Sequence, residues 1–126
     1  MKAATHEWVK KAESDYQLAV SLMRRRKPPV RDQACFLFQQ ASEKYLKARL
    51  EEAGVNVPKT HDLEMLIQLL NPIEPLWTSL SSAAQQLTRY AVRFRYPGYE
   101  ATAQEMKTAQ KDAKAIRQEV RLALGL

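Results

Sequence analysis

Three arginines, Arg89, Arg93 and Arg95, fall close together beside Tyr96 and Tyr99, and no acid interrupts residues 89–97. A guanidinium can grip a phosphate through two parallel hydrogen bonds. Tyrosine rings can stack on bases or donate to phosphate oxygens. Arg89 and Arg93 stand one helical turn apart, where like charges repel by a few tenths of a kcal/mol and an anion would relieve the cost. A second run, Arg24, Arg25, Arg26, Lys27 and Arg31, surrounds Pro28-Pro29 and contains only Asp32 as an acid. The chain has 20 Lys and Arg against 14 Asp and Glu, a formal charge of +6, and outside these two runs bases and acids nearly cancel. Charge localised in this way is the footprint of a phosphate-binding surface. The expected nucleotide or phosphate contacts are therefore Arg89, Arg93, Arg95, Tyr96 and Tyr99. Arg24, Arg25, Arg26, Lys27 and Arg31 form a secondary basic patch, which faces them across a groove or from a second subunit.

Other reactive types point to structure. His61 and Asp62 are neighbours, but adjacent helical residues project about 100° apart, so Asp62 reads as a cap and His61 as a loop ligand. Cys35 lies among Phe36 and Phe38 with no histidine within a turn, the setting of an inert buried thiol. Glu43 and Lys47 form an i,i+4 pair on the more polar side of their helix. Trp8 and Asp15 share a face of theirs, with Asp15 placed to pair with a base on a neighbouring helix. Two histidines and one cysteine do not make a zinc cage. Three glycines exclude a glycine-rich phosphate loop. The expectation is no catalytic residue, no metal and no cofactor.

The elements that must position these groups are helical. Val9, Ala12, Tyr16, Ala19 and Met23 recur at steps of three and four, predicting a helix over about 5–26. Ala34, Phe38, Ala41, Tyr45 and Ala48 predict another over 31–53, with Cys35, Phe36, Leu37, Leu46 and Leu50 making it the most buried, and Gly54 ending it. Thr60 or Asp62 caps a short helix through Leu63, Leu66, Ile67 and Leu70. Pro75 opens a fourth, with Leu76, Leu80, Ala83, Leu87, Tyr90 and Phe94 inward. Thr102 and Glu105 make a capping box for the last, whose stripe is Met106, Ala109, Ala113, Ile116, Val120 and Ala123. No stretch alternates as a strand does. The expected fold is an all-α, up-and-down helical bundle of four long helices and one short one, a single domain over residues 1–126. At 126 residues and 45% hydrophobic, the chain can bury a core without disulfides. No uncharged stretch is long enough to span a membrane and no signal peptide is visible, so with its lone cysteine the expected location is the cytoplasm.

Four motifs in order carry a resemblance. They are Trp8-x3-Ala12-x2-Asp15-x3-Ala19; Cys35-Phe36-x2-Gln39-Gln40-Ala41-x-Glu43-Lys44-x-Leu46-Lys47-Ala48-x-Leu50; Pro58-Lys59-Thr60-His61-Asp62-Leu63-x2-Leu66; and Tyr90-x4-Arg95-Tyr96-Pro97. Over nearly its whole length the chain resembles the HEPN domains (higher eukaryotes and prokaryotes nucleotide-binding), of the small prokaryotic stand-alone type. The resemblance implies a bundle that pairs as a homodimer and binds nucleotide or RNA. It also implies a small nucleotidyltransferase as partner, in a two-component, toxin–antitoxin-like system. Members that cleave RNA carry Arg-x4–6-His; here the histidines are His6 and His61, and neither follows an arginine at that spacing. The resemblance thus implies binding rather than cleavage. The alternatives are a divergent metal-independent ribonuclease and a purely protein-interacting subunit.

Overall fold

The apolar spacing of the first fifty residues folds into a helical hairpin. In the computed structural model, which describes residues 1–93 and 96–126, α1 spans Ala3–Met23 and α2 spans Arg31–Glu52. Then come α3 (Leu63–Leu70), a 3-10 helix (Pro75–Leu80), α4 (Ser81–Thr88), the single turn α5 (Tyr90–Arg93) and α6 (Ala103–Ala123). Among the described residues there is no strand, only an isolated bridge between Arg26 and Pro29. The fold is an all-α helical bundle. Phe94 and Arg95 lie outside the described residues.

The long helix α2 is its axis. It packs most extensively against α1 and α6, and α3 closes a further side. Ala34, Cys35, Phe38, Ala41, Tyr45, Leu46, Ala48 and Leu50 are all buried along it. Burial of this order stabilises at roughly 25 cal/mol per Å2 of apolar surface. It ends in a Schellman motif: the Gly54 N–H donates to the Glu51 carbonyl at 3.1 Å, and the Val55 N–H to the Leu50 carbonyl at 3.0 Å. Gly54 takes φ +73°, which a side chain would resist. Polar links fasten the three long helices together. Glu13 of α1 accepts two bonds at 2.8 Å from Arg117 of α6 and one from the Tyr45 hydroxyl of α2. Lys44 of α2 pairs with Asp15 of α1.

The fourth expected helix is segmented rather than continuous. Residues 75–80 wind as a 3-10 helix, whose period of three places Trp77 and Leu80 inside and turns Leu76 out, 83% exposed. Leu76 is therefore not an inner-face residue. Beyond it, Ala84, Leu87 and Tyr90 are buried. At the far end, α6 opens as its sequence predicts. The Glu105 N–H donates to Thr102 Oγ1 and the Thr102 N–H to Glu105 Oε1, both at 3.0 Å, a complete capping box.

Candidate nucleic-acid interface

Buried Tyr90 and Ala91 anchor the arginine–tyrosine segment from inside the bundle, with Arg89 exposed and Arg93 half-buried. Arg93 lies over the Tyr99 ring, 4.8 Å from its centroid, and donates to the Tyr99 hydroxyl at 3.1 Å. That hydroxyl donates in turn to Glu105 Oε2 at 3.0 Å, which is 3.8 Å from the Arg93 guanidinium. The bond to Tyr99 raises the pKa of Arg93. Burial, helped by Glu105, raises that of the Tyr99 phenol, and the Thr102 N–H holds the Glu105 carboxyl below the usual range. The run without a local acid thus acquires one from the capping box of α6. A carboxylate remote in sequence returns through the fold, and Arg93 is a positioned cation rather than a free one.

Among the described residues Arg89 bonds within its own turn, to Gln86, and it lines a small cavity with Thr108, Asp112 and Glu105, the acceptor of the Tyr99 hydroxyl. Tyr96 is 63% exposed. Arg95 lies outside the described residues.

Arg24, Arg25, Arg26 and Lys27 are exposed in the turn that follows α1, and Arg31 is the first residue of α2. Among the described residues none of these five side chains has a hydrogen-bond or ion-pair partner. Asp32, the one acid of the run, accepts from the Ala101 N–H at 2.6 Å. That bond draws residues 98–101 against the start of α2, so Arg31 and Tyr99 line one cavity of about 340 Å3. The fold therefore joins the basic patch to the tyrosine end of the second segment, while Arg89 meets that segment from the Glu105 side.

The sequence presents a third cluster only as a surface ion pair. Glu43 and Lys47 are in fact buried, with side chains 6% and 8% exposed. The loop carrying His61 and the ring of Trp8 cover them. Glu43 Oε2 accepts from Lys47 Nζ at 2.9 Å; its Oε1 accepts from Gln39 Nε2 at 3.2 Å and faces His61 Nδ1 at 2.8 Å. Lys47 lies 5.7 Å from the Trp8 ring centroid. Gln39 also donates to the His61 carbonyl at 3.1 Å. Against an ionised carboxylate Nδ1 must be the donor, so the 61% exposed ring keeps Nε2 for solvent or substrate. Polar residues at 39, 43 and 47, four apart inside an apolar helix, are the signal that marks this stripe in the sequence. Asp62 caps α3 by accepting from the Glu64 and Met65 N–H groups at 3.1 and 3.3 Å. The Leu63 N–H donates instead to Thr88 Oγ1 at 3.1 Å and ties the His61 loop to the residue preceding Arg89.

Cys35 is fully buried, and burial pushes its thiol up to about 12, which leaves no thiolate at neutral pH. Among the described residues no three His, Cys, Asp or Glu side chains gather as metal ligands. None of the described helices is long and apolar enough to cross a membrane.

A family model described as HEPN domain matches residues 5–123. TT1696 from Thermus thermophilus is similar in structure, with a TM-score of 0.84 and 25% identity over 95% of this chain and 98% of that one. ST0689, described as an archaeal HEPN homologue, superposes with a TM-score of 0.73 and 26% identity, covering 96% of this chain and 97% of its own. No curated protein matches significantly.

Proposed function

The chain belongs to the HEPN domain family, and from that premise we propose that it is a single-domain nucleotide- or RNA-binding module, the non-catalytic partner of a small nucleotidyltransferase in a two-component, toxin–antitoxin-like system. The observation that carries the binding reading is the exposed run Arg24, Arg25, Arg26 and Lys27 together with Arg31, none of which has an ion-pair partner among the described residues. Arg31 also lines a cavity with Tyr99, in which Asp32 and Glu100 stand as well. Positioned Arg93, exposed Arg89 and Tyr96, and Arg95 extend the contact surface. The partner and the two-component setting rest on family membership alone. A homodimer is part of the proposal. The apolar faces of α2 are covered within the chain, whereas Ile73, Leu76 and Leu122 remain 40%, 83% and 74% exposed. A second copy would cover them, and sedimentation at micromolar concentration would read a mass near twice 14.5 kDa; a monomer would remove this part.

The binding reading is tested by fluorescence anisotropy of a labelled single-stranded RNA. Replacing Arg89, Arg93 and Arg95 together by alanine weakens binding while helicity by circular dichroism stays intact. Equal affinity of the triple variant removes these three arginines from the contact surface, and wild-type affinity indifferent to salt refutes the reading.

A second reading, a divergent metal-independent ribonuclease, is favoured by one specific observation, the Glu43-oriented His61 ring close to the Arg89 turn. An imidazole held in this way turns Nε2 outward, where it could act on a substrate as general acid or base. The binding-module reading predicts that RNA stays intact in chelator-containing buffer. Cleavage abolished by His61→Gln would select the second.

A further inference from the structure

A second cavity, also of about 340 Å3, opens where the end of α1, the turn after it and the start of α6 come together. Exposed Arg25 and Arg26 and half-buried Arg31 stand at it, and its apolar lining includes Met23, Val30 and buried Met106. No carboxylate among the described residues lines this cavity. The neighbouring cavity shares Pro29 and Arg31 with it but carries Asp32 and Glu100, which oppose a phosphate. Three guanidinium groups without partners among the described residues, beside an apolar surface, suit a ligand that is anionic at one end and flat and apolar at the other. Inorganic anions would leave the methionines uncovered, and a purely apolar ligand would leave the cations unused. A volume of this size lies at the lower end of small-molecule sites, roughly 300–1,000 Å3, and so fits a single nucleotide unit.

We infer that this cavity is a mononucleotide subsite, in which Arg25, Arg26 and Arg31 hold the phosphate and Met23, Val30 and Met106 receive the base. The inference rests on the nucleotide-binding reading above and adds to it a place for the base.

The four methionines supply the test, since Met23 and Met106 line the cavity and Met1 and Met65 do not. The full chain, labelled with 13C at the methionine methyls, is titrated with AMP and separately with inorganic phosphate, and single-stranded RNA binding is followed by anisotropy on the same preparation. AMP is expected to shift the Met23 and Met106 methyls saturably through the ring current of the base, leaving Met1 and Met65 in place. Phosphate alone should move them little. Replacing Arg25 and Arg26 by alanine should raise the half-saturating AMP concentration about tenfold or more, the scale of losing a charged contact. AMP binding without movement of Met23 and Met106, or phosphate producing the same shifts, overturns the subsite. If AMP shifts nothing while RNA still binds in a salt-dependent way, the subsite is wrong and the binding reading stands. If neither binds, both fall.

Discussion

Arg117 and Arg31 are the same residue type on the same bundle, and the fold treats them oppositely. Arg117 lies 4.9 Å from the Tyr16 ring centroid and gives two bonds of 2.8 Å to Glu13, which also receives the Tyr45 hydroxyl. Arg31, with Arg24, Arg25 and Arg26, has no partner among the described residues. A guanidinium between packed helices must be compensated, because an unpaired buried charge costs several kcal/mol. One at a surface turn is tolerated in water and remains available to an outside anion. Arg93 is intermediate, half-buried and steadied by Tyr99 and Glu105. Charge alone thus does not nominate a binding residue; charge without an internal partner does.

Breaking the paired side of this comparison should cost stability in proportion to burial. The largest effect is expected from Glu43→Ala, which strands Lys47 without its counter-ion in a buried site, at about 3–5 kcal/mol. Urea melts would show it, and a loss under about 1 kcal/mol would mean that the stripe is open to water. Next comes Glu13, whose carboxyl the Arg117 bonds hold down at about 2. Its unfolded value is higher, near 4.5, so the ionised native form is favoured. The resulting stability, on the order of 2–3 kcal/mol, is fully present above about pH 5 and lost as pH falls through 4.5 toward 2. Melts of Glu13→Gln should lack this acid-side slope; a slope like that of wild type would contradict the pairing.

Smaller effects sharpen the comparison. Tyr99→Phe removes the hydroxyl that bridges Arg93 and Glu105 and should cost about 1 kcal/mol, read as a lower urea midpoint at unchanged m-value. On the unpaired side, Arg26→Ala should change stability by less than about 0.5 kcal/mol. A larger loss would reveal an internal partner for that cation.

Features local in the chain were legible in its sequence, and features assembled from distant segments were not. Helix ends with their own chemistry belong to the first kind. Asp62, the Thr102–Glu105 box and Gly54 all cap where their residue types require. The stripe Ala34 to Ala48 faced inward because period 3.6 leaves one solution. Leu76 was misplaced because a 3-10 turn replaced that period at Pro75. Glu105 was missed as a partner of Arg93 because the capping box alone explained it, and no pattern in one dimension brings the two together. Burial of Glu43 and Lys47 was hidden for a related reason. Their cover, Trp8 and the His61 loop, comes from elsewhere in the chain.

The central claim is that the unpartnered arginines of the α1–α2 turn are the anion-binding surface. The most direct measurement is the salt dependence of single-stranded RNA affinity for wild type and for a variant with Arg25, Arg26 and Arg31 changed to alanine. Each phosphate contact contributes about 0.7 to the slope of log K against log salt for a single strand, so the triple change should flatten the slope by about 2. An unchanged slope in the variant, with its fold intact, would contradict the claim.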